Sequence, residues 1–219
     1  MLAFLLPLIL FYEFATMARP GARPGRVIAF EALQRFFELF GPVGKWTPGV
    51  AVIAILLATH AASREPWKVH WRRVAGMYPE SLVLALPLLL LNWAVPLAGS
   101  GEGATALWDR IVLGIGAGVY EELVFRLILI SIMLMIGTDL CRFERGKVAI
   151  FAVVATSLLF AAHHHPPIGT DPFDAVRFIF RTASGAYLAA IFWFRGYALA
   201  AGCHAAYNVS LAIVGAFAR

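Results

Sequence analysis

From Ile111 to Ile136 the chain is continuously apolar, and its only charges there are Glu121, Glu122 and Arg126. As a helix this stretch is about 39 Å long. That exceeds the roughly 30 Å hydrocarbon core of a bilayer. A membrane β-barrel would show period-two alternation in short segments instead. The pattern therefore predicts a membrane-spanning helix, whose backbone groups bond within the segment.

Comparable runs recur at Leu2–Met17, Pro48–Ala62, Ser81–Leu97, Val148–His164, Ala175–Phe194 and Tyr197–Ala218. Val27–Val43 is different. Glu31, Gln34, Arg35 and Glu38 line one face, and Phe30, Leu33, Phe37 and Phe40 another. That fits an interfacial helix or a short buried span. The expected fold is all-α, a polytopic transmembrane bundle of about eight segments, or seven if Val27–Val43 lies flat. The whole chain, 1–219, reads as one membrane domain. Its motif-bearing core is about 111–218, and residues 1–98 form variable N-terminal helices. The N-terminus lacks a basic leader, although Ala15-Thr16-Met17-Ala18 resembles a cleavage site, so an uncleaved first helix is expected.

Composition agrees. The chain is 61% hydrophobic and 14% charged, against about 45–50% and 25% in soluble domains. Its net charge of +5 sits in loops rather than in a basic stripe with interleaved aromatics, so no nucleic-acid partner is expected. The loops Ser63–Arg73 and Asp139–Lys147 are basic. Gly99–Asp109 and Pro166–Asp174 are acidic and rich in Gly and Pro. Basic loops collect on the cytoplasmic side, so the first pair is expected inside and the second outside. Extending that alternation to the basic link near Arg19 requires Val27–Val43 to cross. Cys141 and Cys203 form no disulfide framework.

The polar residues inside the apolar runs carry the chemistry. Each charge at the bilayer centre costs about 2.5–3.5 kcal/mol on insertion scales. Glu122 and Arg126 are four residues apart and can pair on one face. Glu121 points about 100° away and lacks a local partner. Gly114 and Gly118 let a second helix approach closely. Phe160 and His164 share a spacing of four, with His163 and His165 expected to point elsewhere, toward the rim. His204 and Asn208 also share a face. Any one of these sets can be read as interhelical glue or a structural ion pair. Intramembrane ionisable groups, however, mark function by default.

Three of these sets occur in an order that resembles the CAAX prenyl protease (Rce1-like, CPBP or Abi) family of intramembrane proteases. Glu121-Glu122-Leu123-Val124-Phe125-Arg126 resembles EExxxR. Phe160 to His164 resembles FxxxH, and His204 to Asn208 resembles HxxxN. The resemblance implies an intramembrane endopeptidase that hydrolyses a membrane-associated or C-terminal peptide segment with a glutamate-activated water. Glu121 would be the base, with Glu122 in support, although the reverse assignment stays open. Arg126 would pair with Glu122. His164 would position the water, and His204 and Asn208 would stabilise the oxyanion or hold the substrate carbonyl. No cofactor is favoured. Were zinc bound, Glu121, His164 and His204 would be its ligands, but no HExxH is present and Asn208 is a poor zinc ligand. A Cys203–His204 nucleophile is disfavoured, because neighbouring helix positions diverge by about 100°. Expected partners are the lipid bilayer and a membrane-associated peptide or protein substrate reaching the site from the bilayer or the cytoplasmic face. The Ala-, Gly- and Arg-rich composition points to a bacterial cytoplasmic membrane. The rival readings are a non-catalytic membrane scaffold or immunity protein, and a proton-coupled transporter.

Overall fold

The computed structural model describes residues 1–18, 27–38, 47–64, 66–95 and 106–217. All regular structure among them is helical. The order is α1 (Leu2–Met17), α2 (Ile28–Glu38), α3 (Thr47–Ser63), α4 (Trp71–Ala94) and α5 (Leu107–Glu122). α5 continues through a π-helical stretch, Leu123–Ile130, one turn of α-helix, α6 (Ser131–Leu134), and a second π stretch, Met135–Leu140. α7 (Arg145–Ala162), α8 (Ala175–Arg195) and α9 (Tyr197–Phe217) complete the bundle.

Five helical rods are long and apolar enough to cross a bilayer: Trp71–Ala94, Leu107–Leu140, Arg145–Ala162, Ala175–Arg195 and Tyr197–Phe217. The expected count of about eight is not reached among the described residues. α1 and α3, with 16 and 17 residues, are apolar but shorter than the ~20 residues of a standard span. α2 is described over 11 residues, about 16 Å of helix, which does not decide between the two readings of Val27–Val43. Its Phe30 is buried and its Arg35 exposed, but Gln34 of the polar face is buried too. The remainder of Val27–Val43, and most of the Gly99–Asp109 loop, lie outside the described residues.

α4 begins ten residues before the expected Ser81. Its first turns carry Arg72 and Arg73 on exposed positions, which masks the apolar signal of Val74 and Met77, both packed on the core. Long basic side chains near a span end keep their heads in water while their stems cover apolar surface.

The bundle is organised around α9, which is buried along most of its first half. α5 lies against it through the expected small residues. A Cβ on Gly118 would meet the Ala205 backbone nitrogen at 2.6 Å and the Ala201 carbonyl oxygen at 2.7 Å, and one on Gly114 would meet Asn208 Cβ at 2.8 Å. α1, α2 and α3 pack on the far side of α5 through Phe4, Ile9, Tyr12, Phe30, Val52 and Tyr120. α4 and α8 close the other side through Leu88, Leu188, Leu199 and Tyr207. Outward-facing Leu90, Trp93, Ile150, Phe151 and Phe194 are strongly exposed. A soluble protein rarely shows such a surface, and lipid contact accounts for it. Gly196, at φ 83°, turns the chain sharply between α8 and α9, a conformation that L side chains disfavour.

α1 runs antiparallel to α5: Phe4 stacks on Tyr78, near the start of α4, and Phe11 stacks on Trp108, at the start of α5. It therefore ends on the face where α5 begins. The basic link after α1 and most of the first acidic loop, on which the charge-alternation expectation rests, lie outside the described residues.

Candidate active site

Each polar set is placed by a helix end or a close helix contact. α5 brings Glu121 and Glu122 to the level where it meets α9. The backbone then slips into π turns, a rare arrangement found disproportionately at functional sites, and Arg126 lies in the first of them. Arg126 and Glu122 are both fully buried and pair at 2.9 Å. Arg126 also donates to the Gly185 carbonyl at 3.1 Å and sits 4.4 Å above the Phe160 ring. His204 Nδ1 is 2.8 Å from Glu122 Oε1. Glu122 is thus held by a guanidinium and an imidazole, the pairing that a buried charge requires.

Glu121 faces a second group. His163 Nε2 is 3.6 Å from its Oε1 and His204 Nε2 is 3.9 Å from its Oε2. One donor atom each from Glu121, His163 and His164 lies within 4.8 Å of the others. The expected convergence of a carboxylate with imidazoles from separate helices is therefore present. His164 and His204, both close to Glu121, are in the wall of a cavity of about 1160 Å³. Ligand sites commonly span about 300–1,000 Å³, so this one has room for a peptide segment. Asn208, Asn92, Ser184 and Arg181 also line it. Asn208 Nδ2 donates to the Gly114 carbonyl over a long 3.4 Å.

His163 and His165 do not point to the rim. Both are 5% exposed. The reason is the end of α7 at Ala162, after which the chain folds back on itself. Asp171 N donates to the His164 carbonyl at 3.0 Å, and Gly169 N to the His165 carbonyl at 2.9 Å. That turn encloses His165, whose Nδ1 is 3.0 Å from the Asp171 carbonyl, and leaves His163 against Glu121. The same helix end frees the Phe160 carbonyl from its backbone partner. His163 Nδ1 at 2.5 Å and His164 Nδ1 at 2.8 Å take its place. The Phe160 ring meanwhile stacks edgewise on His164 and His204. A phenylalanine four residues before a site histidine is thereby explained: its carbonyl orients the imidazoles and its ring supports them.

Sequence reasoning also missed the clasp on the folded-back loop. Arg181 of α8 pairs with Asp171 at 2.5 Å. Burial pushes the Asp171 carboxyl up, but the hydrogen bond and charge of Arg181 outweigh it and hold the group below its ordinary value. The ten-residue separation crosses a turn and leaves no periodic signal. Cys203 is buried among the α4 and α8 contacts and Cys141 is exposed; both are free thiols.

Fold and site together define a helical membrane protein with a buried Glu/His/Asn/Arg centre beside a large cavity. The model of the type II CAAX prenyl endopeptidase Rce1-like family matches residues 103–210. That stretch, just under half of the chain, holds the motif residues from Glu121 to Asn208, and through it the chain is similar to the Rce1-like family of proteases. No curated protein and no solved structure matches the chain.

Proposed function

We propose that this protein is an intramembrane endopeptidase that hydrolyses a membrane-associated or C-terminal peptide segment with a water activated by Glu121. One observation carries the reading: of two adjacent buried carboxylates, Glu122 is committed to Arg126 and His204, whereas Glu121 faces imidazoles beside the cavity. A general base needs a carboxylate that can take a proton within hydrogen-bond reach of its water. Glu122 is committed to its guanidinium, whereas Glu121 has no Arg partner and is the candidate for that role.

The remaining roles follow from position. His164 stands in the cavity wall, with Nδ1 anchored on the Phe160 carbonyl and Nε2 left to orient the water. His204 is braced by Glu122 and turns Nε2 toward the same space. Asn208 exchanges its long bond to the Gly114 carbonyl for one to the developing oxyanion, a donor role worth about 10²–10³ in rate where it has been measured. Arg126 touches no substrate; it fixes Glu122 and, through Glu122, His204. The carbonyl carbon of the scissile bond receives the water oxygen, the water proton passes to Glu121, and the leaving amine takes that proton back.

Comparison of peptide C-termini in membranes containing the wild type or Glu121→Gln tests the reading. New ends made only by the wild type support it and identify the substrate. Identical ends at deep coverage contradict it.

A further inference from the structure

Two hydrogen-bond donors on α8 are unused. Arg181 gives Nη2 to Asp171 at 2.5 Å, while its Nη1 is buried with no hydrogen-bond partner. Ser184, 6% exposed, has a buried hydroxyl in the same condition. Buried polar groups in folded proteins are nearly always paired, so each orphan calls for an explanation. The two residues are three apart, hence on one face of the helix, and both line the cavity of about 1160 Å³.

A guanidinium only donates, and a serine hydroxyl donates once. A carboxylate satisfies both, because it accepts at two oxygens and matches the planar fork of an arginine. The charge around the cavity agrees. Arg110, Arg177 and Arg181 line it against Asp171 and Asp174, and an Asp174 carboxylate oxygen is taken by the Arg177 backbone N–H at 2.7 Å. The Asp171 pair also holds the guanidinium in place, which reduces the entropy lost when a ligand uses it.

We propose that Arg181 and Ser184 form a subsite for a carboxylate of the substrate, and that the protein selects peptide segments carrying such a group near the scissile bond. The selection rests on the hydrolase reading; the binding does not. Gly185, next to Ser184, accepts from Arg126 at 3.1 Å, so the subsite adjoins the Arg126–Glu122 pair. Four residues of helix, about 6 Å, separate Arg181 from that contact, the length of about two residues of extended chain. A chain terminus and an Asp or Glu side chain both offer this chemistry.

The test presents a library of membrane-anchored peptides in three matched forms: a free terminal carboxylate, a terminal amide, and a terminal amide with Glu replacing an internal Gln. Cleavage by the full chain in liposomes is read as kcat/KM for each form. The wild type prefers one acidic form to the plain amide by about tenfold or more, the size of a hydrogen bond to a charged group. Preference for the free terminus identifies a chain end as the ligand, and preference for the Glu form a side chain. Arg181→Gln brings the ratio to within about twofold of unity, and Ser184→Ala lowers it severalfold, both mainly through KM. Asp171→Asn loosens the loop and slows all forms but keeps the ratio. A purely structural role for Arg181 slows all three forms equally and leaves the ratio unchanged, which overturns the subsite, as does a wild-type ratio near unity. Where the wild type cuts nothing, anisotropy of the same peptides, fluorescently labelled, on the protein in micelles decides. An acid preference in binding that Arg181→Gln removes then upholds the subsite and rejects the hydrolase reading alone. Equal binding of acid and amide forms, or no binding of any form, overturns the subsite.

Discussion

The Glu122 carboxylate lies 2.8 Å from His204 Nδ1, so the last helix of the bundle is tied to the long rod that starts with α5 at the point where that rod turns π-helical. The contact links a fully buried charge to a residue of the cavity wall. It separates two carboxylates that are adjacent in sequence. In the proposed mechanism Glu122 serves the architecture and Glu121 the chemistry.

Removing either carboxylate therefore has a different signature. Breaking a buried ion pair from one side costs about 3–5 kcal/mol, because a charge is left uncompensated. Arg126→Ala and Glu122→Ala lower the thermal midpoint in detergent sharply. Glu121→Gln leaves it within a few degrees of the wild type while abolishing hydrolysis. Melting curves paired with activity check both halves.

His164→Ala and His204→Ala each lower kcat by at least about 10², the usual contribution of positioned acid–base groups. Asn208→Ala lowers kcat by about 10²–10³ with little change in KM, because an oxyanion donor acts in the transition state. His165→Ala keeps most of the activity. Steady-state kinetics on one peptide substrate compare all four.

Gly118→Ala is more damaging than its single methyl suggests. The new Cβ meets the backbone of Ala201 and Ala205 below 3 Å, and backbone cannot rotate away. α9 must shift, at about 1–3 kcal/mol for an overpacked contact, and His204 moves with it. Reduced thermal stability and reduced kcat are expected together. An unchanged variant would contradict the helix contact.

Cys141 and Ile168 lie beyond opposite ends of α7 and are both exposed. A membrane-impermeant maleimide applied to sealed vesicles labels Cys141 or an Ile168→Cys, Cys141→Ser variant, never both. Labelling of both from one side contradicts the crossing of α7. The side that labels also shows where the cavity beside the 163–174 loop opens, which the charge pattern does not decide.

Much of the site was legible because helices translate spacing into direction. The four-residue steps from Glu122 to Arg126, Phe160 to His164 and His204 to Asn208 each keep a face, and the small residues Gly114 and Gly118 announce a close partner. What remained hidden arises where periodicity stops. His163 became a neighbour of Glu121 because α7 ends at Ala162 and the chain doubles back. The Arg181–Asp171 clasp spans that same turn. The π turns after Glu122 leave no compositional mark, since they shift backbone bonds and not residue types. The early start of α4 at Trp71 was obscured by two arginines whose charged heads stay at the surface. The span count stayed open because the mixed face of α2 permits two readings and α1 and α3 are shorter than a standard span.

Hydrolysis by the purified protein in liposomes tests the central claim most directly. A library of membrane-anchored peptides is presented to the wild type and to Glu121→Gln, and new termini are read by mass spectrometry. The wild type is expected to cut at least one peptide and to place one oxygen from labelled water in the new carboxyl group, while Glu121→Gln cuts none. Equal cleavage by both proteins, or none by the folded wild type across the library, contradicts it.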